Sequence, residues 1–170
     1  MAEFGRVDVL VNNAALRPQQ RFLDITEADW RRVLGVDLEA ALWLGQAVLP
    51  GMLERGWGRI VNFTGMNAIH GYAGRAPVSV AKHGLWGLTK SMGKEFGPHG
   101  ITVNAISPGP IAADDEGDHP TAYRQAMVAR VPVGRMGLPR EVAAVVRLLA
   151  SEDGAFINGQ MLAVNGGAET

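Results

Sequence analysis

Short β-branched runs alternate along this chain with longer amphipathic stretches. Residues 7–11, VDVLV, follow Gly5 and leave through Asn12 and Asn13, which predicts a buried strand from its length and flanks. Thr26 followed by Asp29 resembles a capping box, so a short helix is expected over 27–34. Gly35 is expected to bend the path before a second helix, 38–54. There Ala41, Leu42, Leu44, Ala47, Val48 and Met52 build a broad apolar face, and Gly56 and Gly58 are expected to end it. Residues 59–63, RIVNF, predict the next strand, and a loop rich in Gly and small residues follows over 64–76. Pro77 suits the first turn of a long helix, 78–97.

A third strand is expected over 101–106, with Pro108 and Pro110 forbidding its continuation. Segment 112–120 carries Asp114, Asp115, Glu116 and Asp118 and is expected to be a mobile turn. A short helix over 122–129 and another starting at Pro139 follow, and a strand over 160–164 comes last. Strands alternating with helices predict an α/β fold: one parallel sheet of about four strands with right-handed crossovers and flanking helices. The whole chain, 1–170, is expected to be a single domain. Its first and last strands would be sheet edges, and an exposed edge at 7–11 invites pairing with another chain.

Composition narrows the classes. Charge is interspersed and the net is −1, so no basic patch points to nucleic acid. There is no cysteine, hence no disulfide and no thiolate metal site, which suits the cytoplasm. His83, His99 and His119 are scattered without i,i+4 partners, so no metal site is expected. No uninterrupted apolar run approaches the roughly 18 residues of a membrane span, and residues 1–8 lack a signal-peptide pattern.

Six stretches carry a resemblance: VNNAA at 11–15, GRIVN at 58–62, AKHGLWGLTKSM at 81–92, GPHGITVNAISPG at 97–109, GRMGLPREVA at 134–143 and NGQMLAVNGG at 158–167. In order and spacing they resemble the short-chain dehydrogenase/reductase family over essentially the whole chain. The resemblance implies a Rossmann-type sheet, binding of NAD or NADP, and hydride transfer at the carboxyl ends of the strands. It also implies that the chain corresponds to the second half of a longer pattern. The Gly-rich turn that holds a pyrophosphate at a helix N-terminus is not found before any strand here. A truncated form is therefore expected.

The family pattern places a tyrosine four residues before a lysine, so that phenol and ammonium share one helix face. On this sequence the lysine is Lys82 and the tyrosine position is Val78. The family's serine position is Gly65, with Thr64 beside it in the expected substrate pocket, and its asparagine position is Asp37. Lys82 and Asp37 are thus the remnant catalytic positions. General acid/base catalysis contributes roughly 10²–10⁴ in rate, so ordinary carbonyl reduction is expected to be absent or weakened. By resemblance, Asn12, Asn13 and Ala14 touch the adenosine ribose, Pro108, Gly109 and Ile111 the nicotinamide carboxamide, and Lys82 the nicotinamide ribose. Read without the family, Asn-Asn ties down a strand end and Pro-Gly-Pro is a rigid turn.

Two readings of Lys82 stand side by side: it binds a ribose or an anion, or it pairs with Asp37, because a partly buried ammonium seeks a counter-charge. His70 and Tyr72, in the loop that lines the family's substrate cavity, are either surrogate proton donors or a solvent-facing turn. The helices 38–54 and 78–97 are, by resemblance, a homo-oligomer interface. Three functions follow: a degenerate oxidoreductase, a non-catalytic pseudoenzyme acting through partner binding, or a nicotinamide-independent enzyme in the remnant pocket.

Overall fold

The computed structural model describes residues 5–112 and 121–168. Four strands, β1 (Val9–Asn12), β2 (Gly58–Phe63), β3 (Ile101–Pro108) and β4 (Met161–Val164), form one parallel sheet in sequence order. Asn12 lies opposite Asn62, Phe63 opposite Ile106 and Pro108 opposite Val164. All carboxyl ends therefore share one end of the sheet. The central strands β2 and β3 are buried along nearly their whole length, with the polar Arg59, Asn62, Thr102, Asn104 and Ser107 buried among their apolar residues. Strands β1 and β4 are the edges, and on β1 Val9 and Val11 remain 37% and 40% exposed.

Helix α1 (Glu27–Leu34) starts at Thr26, whose hydroxyl oxygen accepts the Asp29 N–H at 3.1 Å. The bend expected at Gly35 does not occur. Gly35 is helical, and the chain passes through a π-helical turn, Gly35–Glu39, into α2 (Ala40–Arg55). A glycine costs a helix only about 1 kcal/mol, which packing of the flanking turns outweighs. The wide turn places Asp37 in the interior, 2% exposed. Gly56 ends α2 in a left-handed conformation, but Gly58 belongs to β2 rather than to the helix end. Helix α3 (Ala76–Phe96) carries Pro77 in its first turn. Strand β3 runs two residues beyond expectation, to Pro108, because the N–H of Gly109 donates to Val164 O at 3.0 Å and carries the ladder past the proline. Helices α4 (Thr121–Val128) and α5 (Pro139–Leu149) lie close to the expected spans. The acidic stretch at 114–118 and His119 lie outside the described residues.

Val48, Leu49 and Met52 of α2 and Met92 of α3 pack on Ile60, Ile101 and Val103. On a second cluster, Val142 and Leu149 of α5 pack on Val61 and Ile106. Neighbouring positions of a strand point to opposite faces, so Ile60 and Val61 put helices on both sides of the sheet. A third cluster, Val33, Val78 and Ala81 with Leu16 and Leu38, joins α1, α3 and the loop after β1. By length and composition the continuous helix Glu27–Arg55 could cross a membrane. Here its Val48, Leu49 and Met52 face the sheet instead.

At the start of α5, Glu141 accepts two bonds from Arg135, at 2.6 and 2.8 Å, and one from the Leu138 N–H at 2.8 Å. The guanidinium, then the cap bond, hold its carboxyl down at about 2, against an ordinary 4.5. A depressed carboxylate stabilises the fold above the unfolded value and loses that contribution as pH falls through the folded value. The Glu141 contribution should therefore be intact above pH 4.5 and vanish between there and about pH 2. A carbon-13 carboxyl titration should place the Glu141 midpoint near the lower limit, and an ordinary midpoint would refute the bidentate pairing in solution.

Candidate functional site

The parallel sheet brings the carboxyl ends of β1, β2 and β3 to one end of the molecule, and with them Asn12–Ala14, Thr64–Gly65 and Pro108–Ile111. Helix α3 runs back from this end, so its first turns, with Val78 and Lys82, lie beside the end of β2. The π turn of Gly35–Glu39 delivers Asp37 to the same place. Such turns inside α-helices are often found at functional positions.

Lys82 and Asp37 are both buried, with side chains 6% and 0% exposed, and their Nζ and Oδ2 stand 3.5 Å apart. At that separation the contact is an ion pair rather than a well-formed hydrogen bond, and among the described residues Oδ2 has no hydrogen-bond donor. Lys82 Nζ also donates to Phe63 O at 2.9 Å, and Asp37 Oδ1 accepts the Leu16 N–H at 2.7 Å. The pair thus ties together the end of β2, α3, the π turn and the loop after β1. Burial pushes the Lys82 ammonium below its ordinary value, the Asp37 carboxylate opposes that shift, and Arg17 adds slightly to it.

Val78 is 1% exposed and sits in the apolar cluster with Val33, Ala81, Leu16 and Leu38. Position 78 therefore serves packing and presents no titratable group to the sheet end. Gly65 adopts φ 72° and ψ 176°, and a Cβ there would meet none of the described residues within 4 Å. There is room for a serine side chain, but the backbone has taken a conformation that glycine adopts freely and a serine does not. Thr64 is 2% exposed, and its hydroxyl donates to Ile106 O at 3.2 Å and meets Met161 Sδ at 3.3 Å. It is engaged within the sheet. His70 is exposed and Tyr72 half-buried, in the loop between the Met66–Ala68 turn and α3.

Asn12 donates to Asn62 Oδ1 at 2.8 Å, and Asn62 donates in turn to Thr89 Oγ at 2.9 Å. This chain locks β1 to β2 and α3, which is a sufficient structural reason for the first asparagine. Asn13 and Ala14 are exposed just beyond it. Gly109 packs so tightly on Asn165 that a Cβ would approach its Cα to 2.7 Å. Ile111 bridges to Gly137 beyond β3. Three participants carried no sequence signal: the Leu16 N–H and Phe63 carbonyl are backbone groups, and Arg17 acts through charge alone.

The resemblance implies a nicotinamide cofactor, whose ribose would need the Lys82 ammonium. That ammonium donates to Phe63 O and pairs with Asp37, on a side chain only 6% exposed, and Val78 lies in the apolar cluster one helical turn before it. These residues do not fit the ribose in the arrangement found.

A three-layer sheet with helices on both faces and a polar cluster at the strands' carboxyl ends defines a Rossmann-type dinucleotide-binding class of fold. Comparison narrows the class. A family model described as enoyl-(acyl carrier protein) reductase matches residues 1–169. Nodulation protein G of Azospirillum brasilense is 40% identical over 166 residues, covering 98% of this chain and 68% of that protein. The 3-oxoacyl-[acyl-carrier-protein] reductase FabG of Vibrio cholerae is 41% identical, covering 97% and 68%. The acetoacetyl-CoA reductase of Cupriavidus necator is 40% identical, covering 98% and 68%. A crystal structure of a provisionally assigned gluconate dehydrogenase from Agrobacterium tumefaciens superposes with a TM-score of 0.90 at 34% identity, covering 96% of this chain and 65% of that one. The chain belongs to the short-chain dehydrogenase/reductase family, and it spans about two thirds of the length of these relatives.

Proposed function

We propose that this chain carries the fold of an NAD(P)-dependent carbonyl/alcohol oxidoreductase, with the inherited reaction absent or strongly weakened. The observation that carries this reading is Val78: the position one turn before Lys82 is 1% exposed inside an apolar cluster. A proton needed at a reacting carbonyl has no donor there, and Gly65 supplies none either. Incubated with NADH or NADPH and acetoacetyl-CoA, the chain should oxidise neither cofactor above the uncatalysed rate. Turnover abolished by Lys82→Met would overturn the reading. Titration calorimetry on this chain, and on a version extended at its N-terminus with upstream coding sequence, separates the two sources of inactivity. Binding by the extended version alone assigns the loss of affinity to the length of the chain.

A second reading, partner binding without catalysis, is favoured by the apolar groups left in solvent. Trp43 and Leu44 on α2 are 59% and 48% exposed, Val80 on α3 is 46%, and Val9 and Val11 line the β1 edge. Self-association through α2 and α3 would cover the first three, and strand addition would cover the β1 edge. Light scattering behind size exclusion should then give a multiple of 18.1 kDa, and Trp43→Glu should reduce it. A monodisperse monomer across the micromolar range would count against this reading.

A further inference from the structure

We propose that Asp37 has converted Lys82 from a ligand-binding cation into an internal structural one, so that the sheet end offers no lysine charge to a nucleotide ribose or an anion. Four observations converge. The two side chains are 0% and 6% exposed and 3.5 Å apart. Lys82 makes a second, shorter contact to a backbone carbonyl, Phe63 O, at 2.9 Å. Asp37 is itself anchored, through the Leu16 N–H at 2.7 Å. The apolar cluster around Val78 lies one helical turn before Lys82, and attraction between opposite charges strengthens beside such low-dielectric surroundings. Asn at position 37 would keep the anchor to Leu16, since an amide oxygen accepts as a carboxylate does, but would carry no countercharge. The charge at position 37 therefore decides whether Lys82 is closed or available.

This inference deepens the reading of a weakened oxidoreductase and rests on it for the kind of ligand tested. It stands or falls separately, because its readout is one ammonium group and not turnover. The chain has only three lysines, Lys82, Lys90 and Lys94, and the last two are exposed, so they act as internal controls for nitrogen-15 lysine side-chain resonances. In the unmodified chain, millimolar NADH or NADPH should leave the Lys82 resonance in place, and brief acylation with an amine-reactive ester should modify Lys90 and Lys94 but spare Lys82. Asp37→Asn should move the Lys82 titration midpoint further down, because the group opposing the burial shift is gone and Arg17 remains, and should speed Lys82 acylation. A saturable shift of Lys82 with either cofactor in the unmodified chain overturns the proposal, even without turnover. So does an Asp37→Asn chain whose Lys82 midpoint is unchanged. If turnover is detected while Lys82 stays silent, the oxidoreductase reading falls and this one stands. Should Asp37→Asn not fold, the cofactor titration and the acylation pattern of the unmodified chain decide the matter alone.

Discussion

Replacing Lys82 with methionine should lower the stability of the chain by about 3–5 kcal/mol, the usual consequence of leaving one member of a buried ion pair unpaired. For a chain of this size that is a fall in melting temperature of roughly 6–20 °C. The loss arises less from the pair's attraction than from what remains. Asp37, with its side chain 0% exposed, would keep a carboxylate whose Oδ2 already lacks a hydrogen-bond donor among the described residues. The same reasoning fixes the double variant. Lys82→Met with Asp37→Asn removes both charges, keeps an acceptor for the Leu16 N–H, and fills the lysine's apolar path. It should recover most of the loss, ending within about 1–2 kcal/mol of the starting chain, since paired buried charges add little net stability over neutral groups. Urea denaturation of the four chains in the cycle measures the coupling directly. Equal and additive losses from the two substitutions would show that the side chains do not interact in solution.

The architecture was legible because the strands advertise themselves. RIVNF and ITVNAI are continuous buried runs bounded by Gly and Pro, and β2 and β3 lie on them to within two residues at either end. The Thr26–Asp29 cap was readable because its geometry is local. Gly35 misled for the opposite reason. A glycine's weakness in a helix is local, while the packing that carried the helix through it is tertiary. The π turn that results had no visible cause in the sequence, yet it is what places Asp37 inside.

The candidate site was legible one residue at a time and not as a geometry. Counting back from Lys82 by the family pattern reaches Val78 and Gly65, and charge complementarity suggests the Asp37–Lys82 contact. Nothing in the side-chain sequence reports that Phe63 O and the Leu16 N–H complete it, because every residue carries those groups. Thr64 shows the same limit. Its place beside Gly65 suggested the substrate pocket, and only the register of β2 against β3 shows its hydroxyl committed to Ile106 O.

The opposite end of the sheet should prove as sensitive as the site. Gly100→Ala is expected to cost about 2–4 kcal/mol, from a backbone clash added to an unfavourable conformation. Gly100 has φ 77°, and a Cβ there would lie 2.2 Å from Gly56 O, a main-chain atom that cannot swing aside. Gly56 is the left-handed residue closing α2, so the ends of two helical segments meet where β2 and β3 begin. Arg59, 2% exposed, fastens the same corner: it donates to Gly58 O at 2.9 Å and Gly100 O at 3.1 Å and lies over the Trp57 ring at 4.4 Å. To relieve the clash, β3 would have to move away from β2 at its first residue, and the Arg59 bonds would break with it. Thermal unfolding should show the loss, and amide exchange should localise it to the 56–60 and 100–102 segments. The Lys82 side-chain resonance, at the far end of β2, should keep its titration behaviour. A Gly100→Ala chain as stable as the original would mean that this corner is looser than its 2.2 Å approach implies, and that the rigidity of the amino ends is not what holds the carboxyl ends in register.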